Sequence, residues 1–238
     1  MIKAPVIARR ELNALFLSPT AYVVLTGFAV TQGILFALAL QPPVDPARTV
    51  EWMFMVPVYL LIVAAPVLTM RLLSEEMRSG TIESLMTTPV TEAEVVLGKF
   101  AAVLVFAVVM FLPLAAQAVY LGLLGGVDPG LVLAGFLGLM LLTCQYLAIG
   151  IFCSALTRAQ VAAAISAFVI LVGLYSIWFF ARDSTAAVAA ALRYVSPPWH
   201  FVAFSTGVVD TRDIAYFVIA TVVFLFLTVK ALEVRKWR

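Results

Sequence analysis

Apolar residues run along this chain in blocks about as long as a bilayer is thick, and polar residues gather between the blocks. Crossing ~30 Å of hydrocarbon takes roughly 20 helical residues. Six blocks meet that length: residues 21–40, 52–70, 100–124, 131–155, 161–181 and 214–232. The pattern predicts an all-α polytopic membrane protein with six transmembrane helices, built as one transmembrane domain over residues 1–238.

The segments outside the blocks carry their own signals. Residues 1–19 mix Ile2, Val6, Ile7, Leu12, Leu15 and Phe16 with Arg9, Arg10 and Glu11, which predicts an amphipathic helix in the membrane interface, ended by Pro19. QPPVDPARTVE is a proline-rich loop, GGVDPG a tight turn and TRAQ a short connection. Pro57 and Pro66 in the second block and Pro113 in the third predict kinks, because proline removes a backbone donor and clashes with the preceding turn. Within residues 182–213, AAVAAALRYV is too short to cross and SPPWHFVAF follows it, so one or two short interfacial or re-entrant helices are expected before the last span.

The long polar segment, 71–99, has the most structure in its sequence. The second block continues through RLLSEEMRS without a breaker, so its helix is expected to extend past the lipid and stop at Gly80, which tolerates a left-handed cap. Thr81 can cap a new short helix in which Ile82, Leu85 and Met86 share one face, and Pro89 ends it. Thr91 and Glu94 form a capping box, so the next helix starts near Glu92. The result is a short helix held crosswise between two long ones, with an apolar stripe that needs a partner.

Composition agrees. Of 238 residues 64% are hydrophobic and 12% charged, and the mean hydropathy is +1.10; soluble domains carry about 25% charged residues. A net charge of +2 gives no argument for nucleic acid. Placing the N-terminus inside puts Lys3, Arg9, Arg10, Arg71, Arg78, Lys99, Arg158, Lys230, Arg235, Lys236 and Arg238 on the cytoplasmic side, and only Arg48, Arg182, Arg193 and Arg212 outside. The positive-inside rule therefore predicts cytoplasmic termini and a cytoplasmic central loop. No apolar stretch with a small-residue cleavage site closely follows the basic residues at the N-terminus, so no removable signal peptide is expected. Cys144 and Cys153, nine apart in one helix, point to opposite faces at about 100° per residue, which argues against a disulfide between them.

The central parts of the six blocks contain no Asp, Glu, Lys, Arg or His, whereas ion-coupled carriers usually keep such a group in the membrane. Energy for any uphill transport should enter from outside the membrane. There is no GxxxxGK[ST] phosphate loop, so an ATPase must be a separate chain. Thr26, Thr31, Gln32, Gln117, Thr143, Gln145, Ser166, Tyr175 and Ser176 are among the intramembrane polar groups. They serve either as hydrogen-bonding glue between helices or, for Gln32, Gln117 and Gln145, as the lining of a translocation path. His200, the single histidine, has no HExxH, GxSxG or second histidine to work with, and reads as an interfacial residue beside Trp199. Asp210, Arg212 and Asp213 read as a local ion pair and a helix start. No catalytic, cofactor or metal site is expected.

EExxSGTIExLxTxPVTxxEVVLGKF, at residues 75–100, resembles the signature loop of ABC-2 type transporter permeases, with supporting likeness in SPTAYVV (18–24) and SPPWHFVAFSTGVVDTRDIAYF (196–217). Within that family the chain is most similar to the gliding-motility-associated permeases. Glu75, Glu76, Gly80, Thr81, Glu83, Leu85, Pro89, Gly98 and Lys99 occupy the motif positions, while Met77 stands where Lys or Arg is expected. The resemblance implies a multi-pass subunit of the bacterial inner membrane whose central loop docks a separate ABC ATPase, the ATP and Mg residing on that partner. It also implies pairing with a second permease subunit, as homodimer or heterodimer, within membrane lipid. Ile82, Leu85 and Met86 would be docking knobs, and Glu75, Glu76, Arg78 and Glu83 a polar rim. A membrane scaffold that anchors a larger complex without transport is the alternative.

Overall fold

The computed structural model describes residues 4–41, 46–80, 91–124, 127–181 and 192–236. Among these the chain is helical throughout, without strands. Helix α1 (Ala4–Phe16) precedes α2 (Pro19–Ala39), which begins on the proline: Pro19 sits in the first turn, where its missing amide is harmless. Then come α3 (Pro46–Thr69), α4 (Ser74–Ser79), α5 (Glu92–Met110) and α6 (Leu112–Leu124), followed by α7 (Pro129–Leu156) and α8 (Gln160–Ala181). Residues 192–195 are helical, and α9 (Pro197–Ser205) and α10 (Thr211–Lys236) complete the described chain.

Among the described residues, six stretches are long and apolar enough to cross a membrane: Pro19–Ala39, Arg48–Ser79, Glu92–Leu124, Pro129–Leu156, Gln160–Phe180 and Thr211–Val234. In the second, third and fourth of these, 67%, 56% and 61% of the most apolar window is buried, against 17% in each of the other three. So α3, α5–α6 and α7 make the centre, and α2, α8 and α10 wrap it with faces open to lipid. Helix α7 is buried nearly all round from Leu142 to Ala155, and α3 and α10 both pack along it. A Cβ on Gly150 would collide with Thr69 Oγ1, and one on Gly138 with the Phe204 ring, so glycines set how closely α3 and α9 approach α7. Lipid is as apolar as these side chains, so close packing and hydrogen bonds hold the helices together rather than burial as such.

Local signals reappear at the central segment. Gly80 ends α4 at φ 73°, in the left-handed region. Thr91 and Glu94 form the reciprocal capping box of α5. The expected unbroken extension of the second span is corrected: the helix stops at Thr69, residues 70–73 form turns, and α4 restarts at Ser74. Ser154 of α7 supplies the reason, because its Oγ accepts the amides of Leu73 and Ser74 at 3.1 Å each and donates to Met70 O at 3.1 Å. A side chain from another helix thus satisfies groups that a continuous helix would bond internally. The third span breaks at Phe111, two residues before Pro113, whereas α3 runs as one helix through Pro57 and Pro66. The two cysteines are unbridged.

One or two short interfacial or re-entrant helices were expected before the last span, and α9 occupies part of that stretch. It is packed into the bundle: Phe201 and Phe204 are fully buried, and α9 meets α7, α8, α3 and α10. Trp199 is exposed, but His200 is 5% exposed and turned inward.

Candidate functional site

Helices α4 and α5 are the two stems of the segment 81–90, and they meet α1 at one cluster of charge. Lys99 lies two turns into α5 and is 1% exposed. Its Nζ donates to Glu76 Oε1 of α4 at 2.8 Å and to Glu11 Oε1 of α1 at 3.2 Å. Arg10 closes the group, with Nη2 3.0 Å from Glu11 Oε1 and 3.6 Å from Glu76 Oε1. Two cations and two carboxylates at these distances neutralise one another, the condition under which charge can be buried at all.

Gly98 makes the approach of α1 feasible. A Cβ there would lie 2.9 Å from both Ala4 O and Ile7 Cβ, so only glycine lets α1 lie flat on α5. Phe16 of α1 and Phe106 of α5 continue the contact, their ring centroids 5.1 Å apart. A second tie holds the other end of α1: Arg71 Nη1 donates to Ser18 Oγ at 3.0 Å while its Nε bonds Glu75 Oε2 at 3.2 Å. The pair Gly98–Lys99 thus carries two jobs, close approach and charge, that join α1, α4 and α5 into one stiff joint.

Helix α4 therefore has two faces. Glu76 and Met77 turn inward, Glu76 to the charge cluster and Met77 (4% exposed) to the apolar core. Met77, which departs from the motif, is a core residue. Glu75 and Arg78 are exposed on the opposite side, and Gly80 is exposed at the end. Thr81, Ile82, Glu83, Leu85, Met86 and Pro89 lie outside the described residues.

The three glutamines fall in two places. Gln32 Nε2 donates to Met53 O at 3.0 Å and to Gln117 Oε1 at 3.1 Å, knotting α2, α3 and α6 in the bundle interior. Gln145 is elsewhere, donating to the Tyr216 hydroxyl at 3.2 Å, which in turn donates to Val195 O at 2.7 Å. All three make helix-to-helix hydrogen bonds of the gluing kind. Between α2 and α3 a cavity of about 590 Å³ is lined by Gln32, Leu35, Phe36, Arg48, Trp52 and Val56 among others.

Sequence reasoning missed the importance of Lys99, Glu11, Ser154 and His200. Lys99 was readable as more than a loop cation, since it sits beyond the Thr91 cap inside an apolar run and at a motif position. No comparable signal marks Ser154.

Residues 16–237 match the family model described as "ABC-2 family transporter protein". The chain belongs to the ABC-2 transporter family. No curated protein matches it. For an ABC-2 transporter the arrangement is coherent: the matched region begins at the end of α1 and takes in all six spans and the charge cluster's Glu76 and Lys99. Membership makes the chain a membrane transport component rather than an enzyme, and the described residues offer no group of His, Cys, Asp or Glu able to hold a metal ion.

Proposed function

We propose that this chain is the permease subunit of an ATP-driven exporter of the bacterial inner membrane, akin to the gliding-motility-associated permeases, with both termini cytoplasmic. In this reading the segment 81–90 docks a separate ABC ATPase, which binds the ATP and Mg, and two permease subunits form the pathway. The carrying observation is the buried Lys99–Glu76–Glu11 cluster, which ties both stems of that segment to α1 and to the central spans. Push the segment, and α4 and α5 move as one body with the core helices rather than flexing alone. Ile82, Leu85 and Met86 supply the apolar knobs, and Glu75 and Arg78, exposed on α4, extend the polar rim.

The test is purification of the tagged protein from its own membranes in mild detergent, with identification of co-purifying chains and an ATPase assay. A partner with a phosphate loop should be retained by the wild type and lost by Leu85→Asp, which would bury an unpaired carboxylate at the docked surface. ATP-dependent transport by Leu85→Asp at the wild-type rate would refute the docking assignment. Absence of any ATPase from an otherwise intact complex would favour the scaffold alternative.

A further inference from the structure

The ends of α2 and α3 that lie away from α1 and α4 border the cavity of about 590 Å³. Gln32 lines it, and both of its amide protons are already committed: Nε2 donates to Met53 O at 3.0 Å and to Gln117 Oε1 at 3.1 Å. Exchanging its oxygen and nitrogen would set Oε1 against Met53 O, which can only accept, so the pattern fixes Oε1 as the other end of the amide. No group among the described residues donates to that oxygen, and Gln32 is 1% exposed. Buried carbonyl oxygens are nearly always paired, so a lone one on a residue that lines a cavity points to a donor from outside the chain.

Depth and lining narrow what that donor belongs to. Gln32 lies about two turns, ~10 Å of helix, inside the end of α2 at Ala39, and Val56 lies ~15 Å inside the start of α3 at Pro46. Half of a ~30 Å hydrocarbon core is about that depth, so the cavity reaches one leaflet deep and Oε1 sits where bulk water does not serve it. The lining is otherwise mostly apolar, with Phe36 held edge-on by Tyr120 of α6 at 6.4 Å. Arg48 is the one charged residue in it and already has a partner within the protein. Leu35, Leu38 and Trp52, also in the lining, are 39%, 53% and 54% exposed, so the mouth opens to lipid. Helix α2 buries only 17% of its most apolar window, which makes it the wall free to shift as a ligand seats.

We propose that this cavity binds an uncharged molecule drawn from the bilayer, with an apolar body and one hydrogen-bond donor that donates to Gln32 Oε1. In hydrocarbon the donor and the oxygen each lack a partner, and pairing satisfies both. An ion would meet no free countercharge there, and a wholly apolar chain would leave Oε1 bare. The site lies at the far ends of α2 and α3 from α4 and needs no ATPase, so its test can fail while the transport reading stands, and the reverse.

The experiment places the full chain in lipid nanodiscs, labels it with a decanol that carries a photoreactive diazirine on its chain, and locates the adducts by mass spectrometry. Label should concentrate on Leu35–Ala39 and Trp52–Val56, and Leu35→Trp, which fills the cavity, should remove it. Unlabelled 1-decanol should compete about tenfold better than decyl methyl ether, which has the same chain and no donor, the size of one neutral hydrogen bond. Decanoate, which is charged, should compete no better than the ether. Gln32→Met should erase the advantage of decanol while the ether competes as before, whereas a merely loosened bundle would weaken both. Gln117→Met breaks the same link between helices but leaves Oε1 in place, and should keep the preference for decanol. Label spread evenly over the lipid-facing helices, or unchanged in Leu35→Trp, would overturn the site. Equal competition by decanol and its ether, or a decanol preference that survives Gln32→Met, would overturn the assignment to Oε1; decanoate competing as well as decanol would overturn the uncharged ligand.

Discussion

Lys99→Met isolates the charge cluster. Methionine keeps the length and apolar stem of lysine but removes the ammonium that sits 2.8 Å from Glu76 and 3.2 Å from Glu11. The two carboxylates are left facing each other with side chains only 17% and 14% exposed. Breaking a fully buried pair costs about 3–5 kcal/mol. Arg10 still reaches both glutamates but is 64% exposed, so it compensates weakly and the lower end, about 3 kcal/mol, is expected. For a chain of this size each kcal/mol is worth about 2–4 °C, so the midpoint should fall by about 6–12 °C in a thermal unfolding assay of the detergent-solubilised protein. The triple variant Lys99→Met, Glu76→Gln, Glu11→Gln removes every charge that faces the lysine and should regain most of the loss. A Lys99→Met midpoint within about 2 °C of wild type would mean the cluster contributes less than ~1 kcal/mol, and the stiff joint between α1, α4 and α5 would have to be abandoned.

Two other perturbations probe the bundle at independent points. Ser154→Ala withdraws the acceptor shared by the amides of Leu73 and Ser74, and should cost about 1–3 kcal/mol, read as a lower midpoint together with faster proteolysis of the 70–80 region. Unchanged proteolysis would show that the turn at 70–73 does not need Ser154. Gln32→Leu and Gln117→Leu should each cost about 0.6–1.7 kcal/mol, with the double variant costing clearly less than their sum because they share one bond; strict additivity in the double-mutant cycle would contradict the pairing.

The charge cluster and the Ser154 turn show where sequence reading stops. Thr91 and Glu94 are three residues apart, so their capping box is written in local sequence and is present in the fold. The same is true of Gly80, whose left-handed φ requires nothing beyond its own lack of a Cβ. Lys99 and Glu76 are 23 residues apart, Ser154 and Leu73 are 81 apart, and Gln32 and Gln117 are 85 apart. Nothing local distinguishes Glu75, exposed and paired with Arg71, from its neighbour Glu76, turned to Lys99.

The sequence by itself determined the class of the protein and the number of its candidate spans, because a backbone in hydrocarbon must satisfy its own hydrogen bonds within a helix long enough to cross. It determined the helix ends at Gly80 and Thr91, and through its central motif the family. The tertiary structure decided which polar residue faces which: that Lys99 is buried among carboxylates, that His200 is folded inward onto Asp213, that Gln32 meets Gln117 while Gln145 does not. A helix tells which residues share a face, but only packing against another helix tells what that face meets. In a membrane, where apolar contact with lipid and with protein are nearly equivalent, the apolar pattern leaves that choice open, and the few close approaches and buried polar pairs make it.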